Sequence, residues 1–227
     1  MRKLVNQKFF RRITPESAYV LGFFAADGNL NKNARGSWYL SFQSADKVLI
    51  HYIKRVMGAE QQVSERSDPR TQGKFYRLQI GSLVMAKDLI KIGFSQSKTR
   101  HLPTGLLDHK FCCHFLRGYF DGDGNVWVGK IHTERKTPGT QVLIAFTSCS
   151  SNFLIELQRH LHNRLGTNGS IITTEGKYSR LQYSKRDAFQ IYNFMYNADH
   201  PIFSLRRKQE RMEQVFGKIK CGSSSIG

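Results

Sequence analysis

The chain has 227 residues, 40% hydrophobic and 12% aromatic, enough for one large folded domain or two small ones and unlike a disordered composition. Lys and Arg number 35 against 17 Asp and Glu, a formal charge of +18 with a pI near 10. Charge that far from neutral points to a polyanionic partner, and its spread along the whole chain suits a surface that tracks phosphates. No apolar run has spanning length and no signal-peptide core is present, so no membrane partner and no secretion are expected. Cys112, Cys113, Cys149 and Cys221 form no C-x-x-C pair and fit no zinc spacing, which reads as free thiols in a reducing intracellular compartment.

In chain order, "MRKLVNQKFFRRITPE" is basic with no acid before Glu16. A transit peptide is one reading; a basic arm lying on the partner is the better one, because a helix starts at once with Thr14 as N-cap, Pro15 at its first position and Glu16 in its first turn. "SWYLSFQ" (37–43) reads as a strand. An amphipathic helix follows, its apolar positions Val48, Leu49, Tyr52, Ile53, Val56 and Met57 recurring at three and four. "FYRLQIG" (75–81) alternates as a strand does and leads to a helix over 82–92. The Pro, Gly and charges of "SQSKTRHLPTGLLDHK" (95–110) mark a linker, placed at 97–110 between halves 1–96 and 111–227. Beyond a helix ending near 123, strands read at 140–148, 169–175 and 178–184, and helices at 151–165, 186–196 and 204–216.

The two halves share one plan. "VLGFFAADGNL" (20–30) aligns with "LRGYFDGDGNV" (116–126), matching Gly22 to Gly118, Asp27 to Asp123, Gly28 to Gly124 and Asn29 to Asn125 at an offset of 96 (118 − 22). "KFYRLQI" (74–80) aligns with "KYSRLQY" (177–183) at an offset of 103 (177 − 74), a drift that loop insertions produce. Each half reads as helix, two strands, helix, two strands, helix. The expected fold is α+β: tandem pseudo-symmetric αββαββα repeats.

Ala18, Gly22 and Ala26 fall four apart, as do Gly118 and Gly122, giving each first helix a face without bulky side chains. If those faces pack together, Asp27 and Asp123 emerge side by side at helix C-termini, where the dipole disfavours carboxylates by roughly 0.3–1 kcal/mol. Hard divalent cations relieve that cost. Paired acids on a strongly basic protein describe metal-assisted phosphodiester hydrolysis.

These residues resemble the two motif copies of the LAGLIDADG homing endonucleases, and the resemblance runs through the whole chain. It implies a monomer with no obligate protein partner, a four-stranded antiparallel saddle sheet in each half, and a two-helix interface at Gly22, Gly118 and Gly122. It implies Mg²⁺, with Mn²⁺ or Ca²⁺ able to occupy the site, held by Asp27 and Asp123 with the carbonyl of Ala26 or Gly122. The penultimate acid is Asp121 in the second copy but Ala25 in the first, a departure from the family pattern that leaves the last acid intact. Lys98 and Lys208 match the family's basic residue near the last helix of each half, with Arg100 competing with Lys98. Asp46, and less closely Ser150, match the polar residue that orients water.

On that resemblance the partner is duplex DNA with a long, partly degenerate target, cut once per strand. Phosphates facing each other across a minor groove about 6 Å wide are offset in the 3′ direction, so short 3′ overhangs are expected. Arg77, Gln79, Arg180 and Gln182 occupy matched alternate strand positions and are the expected base readers, joined by Lys74, Lys177, Asn29 and Asn125 as DNA contacts. The biological role implied is intron or intein homing. The competing reading is a non-cleaving nucleic-acid binder on the same scaffold, an RNA maturase or a transcription regulator. A calcium loop at 121–132 is excluded, since Val126 and His132 stand where Gly and Glu are needed.

Overall fold

The computed structural model describes residues 4–67, 73–96, 101–137, 139–174, 177–197 and 202–222, with side chains to 216 in the last segment. The chain forms two compact units, Met1–Gly122 and Asp123–Gly227.

In the first unit α1 (Pro15–Asp27) opens with the expected cap. Thr14 Oγ1 accepts from the Ser17 amide and Ser17 Oγ accepts from the Thr14 amide, a reciprocal box that satisfies two orphan donors. All residues from Ser17 to Ala25 are buried, which explains why this helix lacks an amphipathic stripe. It passes without a loop into β1 (Gly28–Lys32), followed by β2 (Trp38–Ser44), α2 (Lys47–Val56), β3 (Ser64–Ser67), β4 (Lys74–Gly81) and α3 (Leu83–Ile92). The strands form an antiparallel sheet in the order β1-β2-β4-β3. Leu40, Phe42, Leu78 and Ile80 point to one face and are fully buried with Leu49 and Ile53 of α2 and Met85 and Leu89 of α3. The first unit also takes in α4 (Cys112–Asp123) up to Gly122, so compactness divides the chain later than the sequence repeat, which divides at 97–110.

The second unit runs β5 (Gly124–Ile131), β6 (Gly139–Ser148), α5 (Ser151–Leu165), β7 (Ser170–Thr174), β8 (Tyr178–Ser184), α6 (Lys185–Tyr196) and α7 (Arg206–Gly222). Its antiparallel sheet has the order β5-β6-β8-β7, the same topology as the first. The registers agree pair for pair. Gly28 faces Phe42 as Gly124 faces Phe146, and Phe42 faces Leu78 as Phe146 faces Leu181. The tandem αββαββα plan is therefore present, with α7 as an addition. The edge strands β1, β3 and β5 had no separate signal in the sequence. β1 and β3 are short and polar, and β1 and β5 begin at a glycine directly behind a helix, with no turn to punctuate them.

Candidate metal and nucleic-acid site

The small-residue faces of α1 and α4 meet inside the first unit. A Cβ on Gly22 would collide with the Phe115 carbonyl and come within 2.8 Å of the Tyr119 amide nitrogen. A Cβ on Gly118 would collide with the Tyr19 carbonyl and come within 3.0 Å of the Phe23 amide nitrogen. Under the offset of 96 these are the same contacts read from the other side: Tyr19 corresponds to Phe115 (115 − 19) and Phe23 to Tyr119 (119 − 23). The helix pair is thus pseudo-twofold, and only glycine permits its backbone approach.

Each helix ends on its aspartate. Asp27 is the last residue of α1 and is exposed; Asp123 is the last residue of α4 and is half-buried. Gly122 is shaped around the first of these: a Cβ there would overlap Ala26 and stand 3.1 Å from Asp27 Oδ2. The Asp27 carboxylate and the backbone of Gly122 are therefore neighbours. Carboxylate and carbonyl oxygens are the donors hard cations take, and Asp27, Ala26 and Gly122 bring such oxygens to this corner of the first unit. Asp121 has a different job. It is buried beside α1 and its Oδ2 accepts a hydrogen bond from the Tyr19 hydroxyl at 2.6 Å. Its counterpart Ala25 is equally buried, so this position faces the helix packing in both copies.

In the second unit, Asp123 lines a groove of about 590 Å³ with Asn125, Thr147, Arg180, Lys208 and two further arginines, Arg207 and Arg211. Asp123 is the only acid among these lining residues; four are cationic. Lys208 is buried and donates to the Gly124 carbonyl at 2.7 Å, which holds its ammonium one residue from Asp123 along the chain. The structure thus brings together Asp123, Asn125, Arg180 and Lys208 from the sequence reading. Arg207 and Arg211 were not singled out there. Their signal is the spacing within "RRKQER", which puts residues 207, 208 and 211 on one helix face. Lys98, expected to serve the first half, lies outside the described residues, as does Arg100.

The faces of the sheets away from the cores carry the expected readers. Asn29 and Gln79 are exposed and Arg77 half-buried, its guanidinium donating to Ser41 Oγ at 3.1 Å. Asn125, Arg180 and Gln182 occupy the equivalent register positions. Lys74 has the opposite strand parity from Arg77 and Gln79, and its Nζ sits 2.7 Å from Glu65. That pairing holds the Glu65 carboxyl below its usual range and raises Lys74. Lys74 therefore stands apart from the row of readers, and Lys177 shares that parity in the turn before β8. Asp46 and Ser150 are the N-cap residues of α2 and α5, and each amide donates to a serine two residues earlier, Ser44 and Ser148.

A family model described as a LAGLIDADG-like domain matches residues 110–195. Among solved structures, the homing endonuclease I-WcaI bound to its DNA recognition sequence has a TM-score of 0.63 at 17% identity, covering 89% of this chain and 90% of that one. The I-LtrWI LAGLIDADG homing endonuclease bound to target DNA has a TM-score of 0.61 at 13% identity, covering 95% and 92%. The chain carries the LAGLIDADG endonuclease fold. A third structure, I-SmaMI bound to an uncleaved DNA target in the presence of calcium ions, gives 0.58 at 14% identity over 94% and 93%. An uncharacterized protein of Methanocaldococcus jannaschii is 23% identical over 210 residues, 89% of this chain and 72% of that protein. Within the LAGLIDADG frame the family match spans α4 to α6 and stops before α7, which brings Lys208, Arg207 and Arg211 to the groove.

Proposed function

We propose that the protein is a site-specific double-stranded DNA endonuclease that hydrolyses one phosphodiester per strand with a divalent metal, Mg²⁺ in the cell, and leaves short 3′ overhangs. The observation that carries this is the groove in which Asp123 is the one acid among Arg180, Arg207, Lys208 and Arg211. A single carboxylate ringed by cations fits a site completed by a phosphate and its counter-cation. Mg²⁺ is usually held by one or two carboxylates plus substrate phosphates and water, which is the donor set that two aspartates and a bound phosphate would give it.

Asp27 and Asp123 would hold the metal, each serving one strand, with the carbonyls of Ala26 and Gly122 as further donors. When bound, the cation supplies Lewis acidity and a more acidic water. The arginines Arg180, Arg207 and Arg211 bind and orient the phosphate, and Lys208, held by the Gly124 carbonyl, adds positive charge where negative charge builds during hydrolysis. Asp46 and Ser150 orient water, and Lys98 is the first-half counterpart of Lys208. Asn29, Arg77, Gln79, Asn125, Arg180 and Gln182 contact bases from the outer sheet faces. Homing of the intron or intein that encodes the chain is the role such cleavage serves.

The test is incubation of the protein with a plasmid library and Mg²⁺, followed by mapping of ends. Asp27→Asn and Asp123→Asn are each expected to abolish double-strand cleavage while DNA affinity is retained. A wild-type protein that cuts nothing in the library yet binds RNA tightly would establish the non-cleaving binder instead.

A further inference from the structure

The repeat supplies an internal control for the two sheet faces. Three outward positions are identical in both halves: Asn29 and Asn125, Arg77 and Arg180, Gln79 and Gln182. Four others change from polar to apolar. Asn31 corresponds to Trp127, Tyr39 to Leu143, Ser41 to Ala145, and Ser64 to Ile172, each assigned by strand register. Trp127 is 44% exposed and Ile172 53%, so the apolar side chains are offered to a partner and not folded into the core. Trp127 lies flat along its own strand because Gly129, two residues on, leaves room: a Cβ there would overlap the indole ring. The ring, Leu143 and Ala145 make the floor of a groove of about 290 Å³ whose polar members are Asn125, Gln141, Arg180 and Gln182.

An apolar patch threaded by Asn, Arg and Gln on a chain of charge +18 is not an ordinary protein-docking face. In the major groove the thymine 5-methyl is the one apolar group a base edge presents, and it sits beside the adenine N6 and N7 that Gln or Asn reads. We infer that the second half reads thymine methyl groups through Trp127, Leu143 and Ile172. At those register positions the first half presents the hydrogen-bonding Asn31, Tyr39 and Ser64, and among its described strand residues it keeps only Phe75 as an apolar outward side chain. The inference rests on the DNA-binding reading above and makes Trp127 and Ile172 specificity-determining residues. Rows of outward side chains two residues apart are roughly 6.6 Å apart along a strand, about two base-pair steps, so the methyl contacts fall on spaced T·A pairs.

The experiment uses the full chain without Mg²⁺, selecting bound duplexes from a randomised pool. It is repeated with a Trp127→Asn, Ile172→Ser double variant, which installs the first-half residues at exposed positions where folding is not at stake. The half-site whose preference changes is the one the second half reads. Uracil is then substituted for thymine in each half of the selected site. Uracil in the second-half site should weaken wild-type binding by about fourfold per contacted methyl, the equivalent of one buried methylene. Uracil in the other half should have a smaller effect, and in the double variant the second-half loss should shrink to what Leu143 still contributes. Tolerance of uracil throughout, an equal loss in the two halves, or a second-half site without preferred T·A pairs overturns the inference and leaves the DNA reading standing. A selection that enriches no sequence overturns the DNA reading itself and the inference with it.

Discussion

Replacing Gly118 by alanine isolates the close approach of α1 and α4. Two effects of opposite sign compete. Alanine is favoured over glycine in a helix interior by about 1 kcal/mol. Against it, the new methyl would meet the Tyr19 carbonyl head on, with the Tyr19 carbonyl carbon at 2.9 Å and the Phe23 nitrogen at 3.0 Å. All three atoms are backbone, so no rotamer change relieves the contact. Carbon pairs prefer about 3.5–4.0 Å, so the helices must part by roughly 1 Å, and a gap of that size forfeits a quarter to a half of each dispersion well along the pair. Overpacking of this kind costs about 3 kcal/mol at the upper end of its usual range, leaving a net loss of about 2 kcal/mol. For a chain of this size that lowers the melting temperature by about 4–8 °C. Urea and thermal unfolding of the whole chain measure it, with Gly105→Ala as control, since nothing lies within 4 Å of a Cβ there and the change should be neutral or slightly stabilising. Because the contacts mirror each other, Gly22→Ala should cost a similar amount. The double variant should cost less than the two together, the helices having already separated. A Gly118→Ala protein as stable as wild type, or more so, refutes the reasoning.

Three further outcomes are expected. Lys208→Met should lower the single-turnover cleavage rate by about 10²–10³, as removal of a charge-stabilising donor does, with DNA affinity falling far less. Asp121→Ala strands the buried Tyr19 hydroxyl and should cost about 1–3 kcal/mol in urea unfolding, whereas Asp121→Asn keeps an acceptor and should cost less; neither should change the cleavage rate of the folded protein. The Tyr192 hydroxyl, which donates to Glu213 at 3.1 Å, is pushed up to about 12 by burial first and the Glu213 charge second. A raised folded value means a contribution to stability fully present below the unfolded value of about 10 and lost as pH rises toward 12. Unfolding midpoints of Tyr192→Phe should therefore fall less steeply than wild type across that window.

What was legible in the sequence was what has a period or a cap. Thr14 and Pro15 fixed the start of α1, and α5 was read at 151–165, where it runs, because its apolar positions recur and Gly166 closes it at φ +67°. The glycine stripes were legible as spacing, and the structure shows them as contact. Edge strand β7 was read at 169–175 and runs Ser170–Thr174, but β1 and β3 were not legible: they read GNLNK and SERS, and with few side chains committed to the core they have no alternation to display. The pairing of Lys74 was not legible for a related reason. Residues an odd number apart on a strand face opposite ways, so Lys74 lies on the other side of β4 from Arg77, within reach of Glu65 on the paired strand β3. Arg207 and Arg211 escaped because the groove they line is closed by α7, an element outside the repeat.

The departure at Ala25 is what separates chemistry from packing at the motif. Position 25 and position 121 are both buried where α1 and α4 pack, so the penultimate residue of each copy answers to that packing. In one copy the buried position carries a methyl; in the other it carries a carboxylate whose Oδ2 accepts from the Tyr19 hydroxyl. The two solutions cannot be symmetric, because Tyr19 corresponds to Phe115, which has no hydroxyl to give. An acid at position 25 would find a phenyl edge where Asp121 finds a donor, and a buried carboxylate without a partner costs far more than a methyl. Alanine at position 25 thus goes with phenylalanine at position 115, 90 residues on (115 − 25). Asp27 and Asp123 lie where the helices end, exposed or half-buried, and both copies keep them although the helix dipole disfavours a carboxylate at that end. An unfavourable charge present in both copies, beside a penultimate position that differs with its packing partner, supports the proposal that the last aspartate serves a metal and the residue before it serves the fold.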